Sequence, residues 1–132
     1  MDIDVKQYIK DIKILRAKAD QYDGNAPGAD MAKINLLTQA HTLMGRVAAV
    51  REGEYMRIYA HRKAAYAKAK KDAPRGQKET AGDIAVESLR MLEATAKEER
   101  EMWKNEFESV RQVIFELRLR VRRDLHTLGG GD

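Results

Sequence analysis

The chain contains no cysteine and only two prolines among its 132 residues. The absence of cysteine excludes disulfides, thiolate-bound zinc and a cysteine nucleophile, and it favours a reducing cytoplasm as the setting. Aromatic residues make up only 6% of the chain, and no apolar run approaches the roughly 20 residues that a membrane-spanning helix needs. We therefore expect a cytoplasmic protein that does not insert into a membrane and that has little material for a β-sheet.

Helix-forming and charged residues dominate the composition, with charged residues at 35%. Alanine, leucine, lysine, arginine and glutamate are strong helix formers, so we expect an all-α fold. The length fits one helical domain, residues 1–132. Apolar residues three and four apart, interrupted by turns that contain glycine and proline, predict helices at about 3–22, 30–72 and 80–128. The glycine-rich end, 129–132, is expected to be frayed.

Residues suited to capping stand where each helix is expected to begin. Asp2 or Asp4 can cap the first helix and Asp30 the second, because a carboxylate accepts hydrogen bonds from backbone N–H groups that lack a helical partner. Thr80 followed by Asp83 resembles a capping box at the start of the third helix.

The third helix carries an apolar stripe that becomes a seven-residue repeat in its later part. Such heptads are typical of coiled-coil-like packing. Helices two and three are therefore predicted to form a long antiparallel hairpin, with the short first helix packed along its open end. Because three long, thin helices leave apolar surface uncovered on a single chain, we expect a homo-oligomer. The stripe consists of Ile84, Leu89, Leu92, Ala96, Trp103, Phe107, Val110, Ile114, Leu117, Val121, Leu125 and Leu128.

Basic residues are concentrated in one part of the chain. Residues 51–78 hold nine Lys and Arg against three Asp and Glu, whereas residues 79–108 hold four against nine. Cations can neutralise phosphates, and aromatic rings among them suit single-stranded nucleic acid because bases stack on them without regard to sequence. The candidate nucleic-acid-binding residues are Tyr59, Arg62, Lys63, Tyr66, Lys68, Lys70, Lys71, Arg75 and Lys78.

The same basic run has a purely structural alternative. In an antiparallel hairpin that turns near Gly76, it lies beside acidic residues of the third helix, and the two blocks can pair and fix the register. The tyrosines can equally belong to the core. The carboxylates available for such a charge ladder are Glu79, Asp83, Glu87 and Glu93.

A second basic cluster lies near the end of the third helix. Its guanidinium groups suit bidentate contacts to phosphate or carboxylate. Cations in the last turns of a helix also complement its dipole, so part of the cluster has an ordinary explanation and the rest can contact nucleic acid or a neighbouring subunit. The cluster comprises Arg118, Arg120, Arg122 and Arg123.

Signals of catalysis, metal binding or cofactor binding are missing from the sequence. His41, His61 and His126 are scattered, and no Glu-x-x-His motif accompanies the carboxylates of the third helix. We therefore expect a binding protein rather than an enzyme, with no catalytic residue, no metal and no cofactor.

The order of a short first helix, a long helix ending in the basic aromatic run 59–71, a Gly-containing turn and a long final helix resembles the UvsY-like recombination mediators of bacteriophages. The similarity is one of pattern and covers about residues 30–125. It implies an oligomer that binds single-stranded DNA in the host cytoplasm and helps a recombinase displace a single-strand-binding protein. The cations and tyrosines of 59–78 match the DNA-binding role.

A different class of function remains open beside this one. The apolar stripe of the third helix suits a protein partner equally well. The alternative is therefore a helical assembly or adaptor protein, acting in virion assembly or as an inhibitor that binds a host protein.

Overall fold

A computed structural model describes residues 4–129 of the chain, with side chains through Thr127. Three helices make up the described residues: α1 (Val5–Asp20), α2 (Ala29–Asp72) and α3 (Lys78–Gly129). No strand occurs between residues 4 and 129, which confirms the all-α fold. The expected bounds differ by a few residues, since α1 ends before Gln21 and α3 already begins at Lys78. Of the tail expected to fray, Gly129 is the last residue of α3, and residues 130–132 lie outside the described part of the chain.

The helix starts agree with only one of the expected caps. Asp4 caps α1, its carboxylate accepting from the Gln7 backbone N–H at 3.1 Å; Asp2 lies outside the described residues. Asp30 is not a cap, because α2 begins at Ala29 and the Asp30 carboxylate binds a side chain of α3 instead.

The capping box expected at the start of α3 is also wrong. Thr80 lies inside the helix, and the Asp83 carboxylate accepts from Arg90 of the same helix at 3.1 Å. The turn before α3 depends on Gly76, whose φ of 87° is one that residues with a Cβ rarely adopt. Gly28 has the same left-handed conformation, with φ 77°, directly before α2.

The chain forms two compact units, which we call the core unit and the tip unit. The core unit comprises residues up to Ala48 and from Trp103 onward, and the tip unit comprises Ala49–Met102. Both α2 and α3 contribute to each unit, while α1 belongs to the core unit alone.

The core unit buries aliphatic side chains from all three of its helices. Its α1 face contributes Ile12, and Arg16 of α1 donates to the Glu106 carboxylate of α3 at 2.9 Å. His41 of α2 stacks on Phe107 of α3, with ring centroids 4.0 Å apart. The buried cluster consists of Ile12, Ala19, Ile34, Leu37, Met44, Val47, Val110, Ile114 and Leu117.

The tip unit is a helical hairpin with a much smaller apolar interior. Between Ala49 and Met102, only Gly82, Val86 and Ala96 are buried. Contacts descend along α3 as they ascend along α2, from Arg51–Glu99 to Arg62–Glu93, so the two helices run antiparallel. This confirms the predicted hairpin.

The apolar stripe of α3 is confirmed over residues 103–121 and only in part elsewhere, since Ala96 is buried in the tip unit but several other members are exposed. Val110, Ile114 and Leu117 are buried, with Trp103, Phe107 and Val121 packed against them. Ile84 and Leu92, expected inside, are instead 68% and 56% exposed. Leu125 is also exposed, and the side chain of Leu128 lies outside the described residues. Within the described part, no helix combines the length and apolar character needed to cross a membrane.

Candidate nucleic-acid interface

The basic run on α2 of the tip unit keeps most of its positive charge. Residues 55–71 contain six Lys and Arg and no Asp or Glu. Of these six, Arg62 alone contacts a carboxylate among the residues that the structure describes. Cations without a carboxylate partner remain available to a phosphate; here they are Arg57, Lys63, Lys68, Lys70 and Lys71.

Arg62 joins the two helices of the tip unit. Its guanidinium donates to both carboxylate oxygens of Glu93 on α3. The two side chains are only 22% and 16% exposed, so solvent screens the pair less than a surface pair. Arg62, which the sequence offers as a ligand-binding residue, is thus already engaged across the hairpin.

The charge ladder exists, but mostly between other residues than those expected. Of the four candidate carboxylates of α3, Glu93 contacts the basic run and Asp83 contacts Arg90 of its own helix. The other ion pairs of the ladder join the first turn of α2 in the tip unit to α3: Arg51 approaches Glu99 and Arg100 approaches Glu52, both at 3.5 Å.

These ion pairs form a polar layer that sequence reasoning missed. Arg100 lies over the Tyr55 ring at 4.2 Å, and its hydrogen bond to Glu101 raises the pKa of the guanidinium. The Nε atoms of Arg51 and Arg100 are buried without a hydrogen-bond partner. The Arg51–Glu99 pair could have been predicted from the sequence, because position 51 faces position 99 in an antiparallel hairpin that turns at residue 75.

The two candidate tyrosines of the run, Tyr59 and Tyr66, have different neighbours. The Tyr59 ring lies beside the Lys63 ammonium at 4.9 Å and the Arg62 guanidinium at 5.4 Å, and it is half-buried. Tyr66 packs across the hairpin on Gly82, where an added Cβ would stand 2.5 Å from the Tyr66 ring. Tyr66 therefore packs between the two helices, while the neighbours of the Tyr59 ring are cations and Tyr55 of its own helix.

Lys78 has a structural role in the turn after α2. Its ammonium donates to the backbone carbonyls of Lys70 at 2.8 Å and Ala73 at 3.1 Å. The first carbonyl belongs to the last turn of α2 and the second follows the helix directly, where carbonyls lack an intrahelical partner. The ammonium supplies that hydrogen bond, and its positive charge is favourable at the negative end of the helix dipole. Lys68, Lys71 and Arg75 are exposed and have no ion pair among the described residues.

The four arginines of the second basic cluster differ in whether a carboxylate already binds them. Arg120 donates two hydrogen bonds of 2.9 Å to the Asp30 carboxylate. These bonds hold the pKa of Asp30 below its ordinary value and raise the pKa of Arg120. Arg118 and Arg122 are exposed and meet no carboxylate in the described part of the chain, and Arg123 approaches only its neighbour Asp124, at 3.9 Å.

The three histidines do not come together. His41 is half-buried with Nε2 3.2 Å from the Phe107 carbonyl oxygen, whereas His61 and His126 are exposed on other segments. Over residues 4–129, no group of three or more His, Cys, Asp or Glu side chains is placed to hold a metal ion.

Comparison with protein-family models, with curated proteins and with solved structures finds no match to this chain. The resemblance to recombination mediators remains an expectation from the sequence pattern. What the chain can bind must therefore be argued from the geometry of its surfaces.

Proposed function

We propose that this protein is a non-enzymatic accessory protein that binds single-stranded nucleic acid through the cationic face of α2 in the tip unit. The observation that carries the proposal is the carboxylate-free run 55–71, which retains five cations without an acidic partner among the described residues. Lys63 and Lys70 lie over tyrosine rings, and Lys70 and Lys71 stand in the last turn of α2, where they complement the helix dipole. None of the five cations is neutralised by a carboxylate of the described chain, however, so an external polyanion can compensate for their charge. The UvsY-like pattern adds the expectation that binding assists a recombinase.

The expected contacts are to the sugar-phosphate backbone. Lysines release counterions when they meet phosphates, and this release supplies affinity without sequence preference. The exposed alanines Ala60, Ala64 and Ala67 recur at helical spacing between the cations, so a strand can approach the helix closely. Tyr59 is the ring of this face that a base can stack on.

The experiment removes exposed cations that have no carboxylate partner. A variant with Lys63, Lys68, Lys71 and Arg75 changed to alanine is compared with a control in which Lys10, Lys13, Lys97 and Lys104 are changed. All four control lysines are also exposed and without an ion pair in the described chain, so the net charge changes equally. Fluorescence anisotropy with a labelled oligo-dT strand and a matched duplex is measured at two salt concentrations.

We expect the variant of the run to lose affinity for the single strand by more than tenfold and the control by less than about threefold. Equal losses in the two variants would mean that only net charge matters. Absence of binding by the unaltered protein at low salt would refute the proposal.

A second candidate, assembly through protein contacts, is favoured by an exposed apolar stripe on α3 of the tip unit. Ile84, Met91 and Met102 are 68%, 75% and 52% exposed. Their separations of seven and eleven residues place them on one side of the helix. Exposed apolar side chains in a row are typical of a contact surface, and a second copy of the chain is the occupant that we propose.

Light scattering coupled to size exclusion tests this assembly. We expect the protein to elute as an oligomer and the double variant Ile84→Ser with Met91→Ser to elute at lower mass. Leu125→Ser serves as the control, since Leu125 is 65% exposed but belongs to the core unit. A monomer at all concentrations would refute self-association, and an oligomer that binds no strand would favour the assembly function.

A further inference from the structure

The outer face of α3 in the core unit combines arginines with an exposed aromatic ring. Arg111, Phe115, Arg118, Leu119 and Arg122 follow one another at separations of four, three, one and three residues. On a helix these positions share one face, because residues three and four apart are neighbours. All five side chains are exposed; we call this set the arginine face.

Packing within the core unit does not explain the arginine face. The buried side of the same segment is formed by Val110, Ile114 and Leu117. Phe115 is 55% exposed and, unlike the stacked Phe107, has no ring partner among the described residues.

Ion pairing does not explain its cations either. Arg118 and Arg122 meet no carboxylate in the described part of the chain. Arg111 approaches only Glu108, at 3.6 Å, with both side chains more than half exposed, and such surface pairs contribute little. Arg120 differs from these arginines, since it lies on another side of the helix and donates two hydrogen bonds to the Asp30 carboxylate.

We propose that the arginine face is a second contact surface for single-stranded nucleic acid, extending the function proposed above and resting on it. Guanidinium groups suit phosphate because their planar fork of donors matches its oxygens. Phe115 supplies the exposed ring on which an unpaired base stacks. Arg111 and Arg122 are eleven residues apart, so the face spans roughly 16 Å along the helix, which is enough for several phosphates.

The chemistry of the face favours a nucleic acid over a lipid surface. A helix that lies on a membrane presents a broad apolar side, whereas the broad apolar side of this segment is buried in the core unit. Only Phe115 and Leu119 are apolar on the arginine face, and three guanidiniums surround them. One aromatic ring and one leucine among three cations suit a stacked base better than acyl chains.

A stacking probe tests the role of Phe115 directly. The variant Phe115→Trp places an indole on the face, and stacking of a base quenches its fluorescence. The control Val113→Trp puts the indole two residues earlier, on another side of the helix, at a position that is also exposed. We expect unlabelled oligo-dT to quench the Phe115→Trp signal, and to change the Val113→Trp signal no more than it changes that of the unaltered protein, which carries Trp103 alone.

Affinity measurements test the cations. We expect Arg118→Ala with Arg122→Ala, and separately Phe115→Ala, to weaken oligo-dT binding about tenfold. The control is Lys97→Ala with Lys104→Ala, which removes two exposed cations from the same helix. Far-UV circular dichroism checks that each variant keeps its helicity.

The outcomes separate this inference from the function on which it rests. Unchanged affinity in the Arg118/Arg122 variant, with loss in the variant of run 55–71 and Arg75, overturns the arginine face alone. Loss in the Arg118/Arg122 variant with retention in the other overturns the tip-unit surface alone. A blue shift of the Phe115→Trp emission with anionic phospholipid vesicles, without quenching by oligo-dT, overturns the inference in favour of a membrane surface.

Discussion

The Asp30–Arg120 pair makes the core unit sensitive to acid. The side chain of Asp30 is only 11% exposed, and Arg120 holds the pKa of Asp30 below its ordinary value. A carboxyl with a lowered pKa in the folded state stabilises that state above its ordinary pKa of about 4. The contribution is lost as the pH falls through the lowered pKa of the folded state.

We predict that Asp30→Asn lowers the urea midpoint at neutral pH and has a smaller effect in strong acid. The reason is that the unaltered protein loses the same charge interaction when Asp30 is protonated. The measurement is urea denaturation of both proteins at pH 7 and at pH 2–3. Asp83→Asn is the control, because Asp83 pairs with Arg90 where both side chains are more than half exposed. An equal difference at both pH values would contradict the role given to Arg120.

Close approach of the two helices in the tip unit depends on Gly82. Alanine within a helix is favoured over glycine by about 1 kcal/mol, but a Cβ at Gly82 would collide with the Tyr66 ring. We predict that Gly82→Ala lowers the free energy of unfolding by about 1 kcal/mol, since overpacking of this kind costs roughly 1–3 kcal/mol.

A double-mutant cycle isolates this contact. In a Tyr66→Ala background the collision is gone, and Gly82→Ala should stabilise by about 1 kcal/mol. Chemical denaturation of the four proteins gives both values. The same sign of effect in both backgrounds would show that Tyr66 moves aside freely and does not define the hairpin spacing.

At the scale of the helical element, Arg62 and Glu93 fix the register of α2 against α3 in the tip unit. We predict that Arg62→Ala lowers the free energy of unfolding by about 1–3 kcal/mol, because it leaves the half-buried Glu93 without its partner. Lys63→Ala, at the exposed neighbour, should change it by less than about 0.5 kcal/mol.

The swapped variant Arg62→Glu with Glu93→Arg should recover much of that loss while reversing the direction of the pair. Thermal denaturation of the single and swapped variants provides the comparison. No recovery in the swap would indicate that the packing of the Arg62 stem, rather than its charge, holds the helices together.

The same element shows what the sequence could and could not predict. In the core unit the buried side of α3 is marked by large aliphatic residues such as Ile114 and Leu117, so the heptad pattern identified it. In the tip unit the inward side holds Gly82, Val86, Glu93 and Arg100. Hydrophobicity identifies such a face poorly because a glycine and charged residues share it with Val86 and Ala96, and the pattern selected the exposed Ile84 together with Ala96.

For the candidate site, the sequence predicted where the cations cluster but not which of them already have a partner in the fold. Clustering of like charge located the run 55–71, because composition alone reveals it. Composition does not reveal which cations already have a partner in the fold, because that depends on how the helices are aligned against each other. Arg62 pairs with Glu93, Arg120 pairs with Asp30, and Lys78 donates to two backbone carbonyls. Phe115 was missed because it belongs neither to the predicted apolar stripe nor to a basic cluster, so no sequence pattern singled it out.

At the scale of the whole molecule, the two proposed surfaces together predict a salt dependence. For a single strand, the logarithm of the affinity falls with the logarithm of salt concentration by about 0.7 per phosphate contact. We predict that Arg118→Ala with Arg122→Ala reduces the slope by roughly 1.4, and that the four-residue variant of Lys63, Lys68, Lys71 and Arg75 reduces it by roughly 2.8. Anisotropy titrations over a range of salt give the slopes, and a slope unaffected by either variant would contradict phosphate contact.

The two units should also differ in local stability. The core unit buries Met44, Val47 and aliphatic residues of all three helices, whereas the tip unit buries one large side chain, Val86. Segments with few buried apolar contacts open at lower free-energy cost and exchange their amide hydrogens sooner. We therefore predict that amides of 55–70 and 80–96 exchange faster than those of 34–47 and 107–117.

Hydrogen exchange followed by mass spectrometry measures this difference, with the intrinsic rate of each peptide as the reference. Oligo-dT at saturating concentration should slow exchange in the tip unit, because a ligand that binds only the folded state stabilises it in proportion to its free concentration over the dissociation constant. The control is the four-residue variant of the basic run, in which the oligonucleotide should leave tip-unit exchange unchanged. Uniform protection along α2 and α3 without the oligonucleotide would contradict the predicted difference in local stability between the two units.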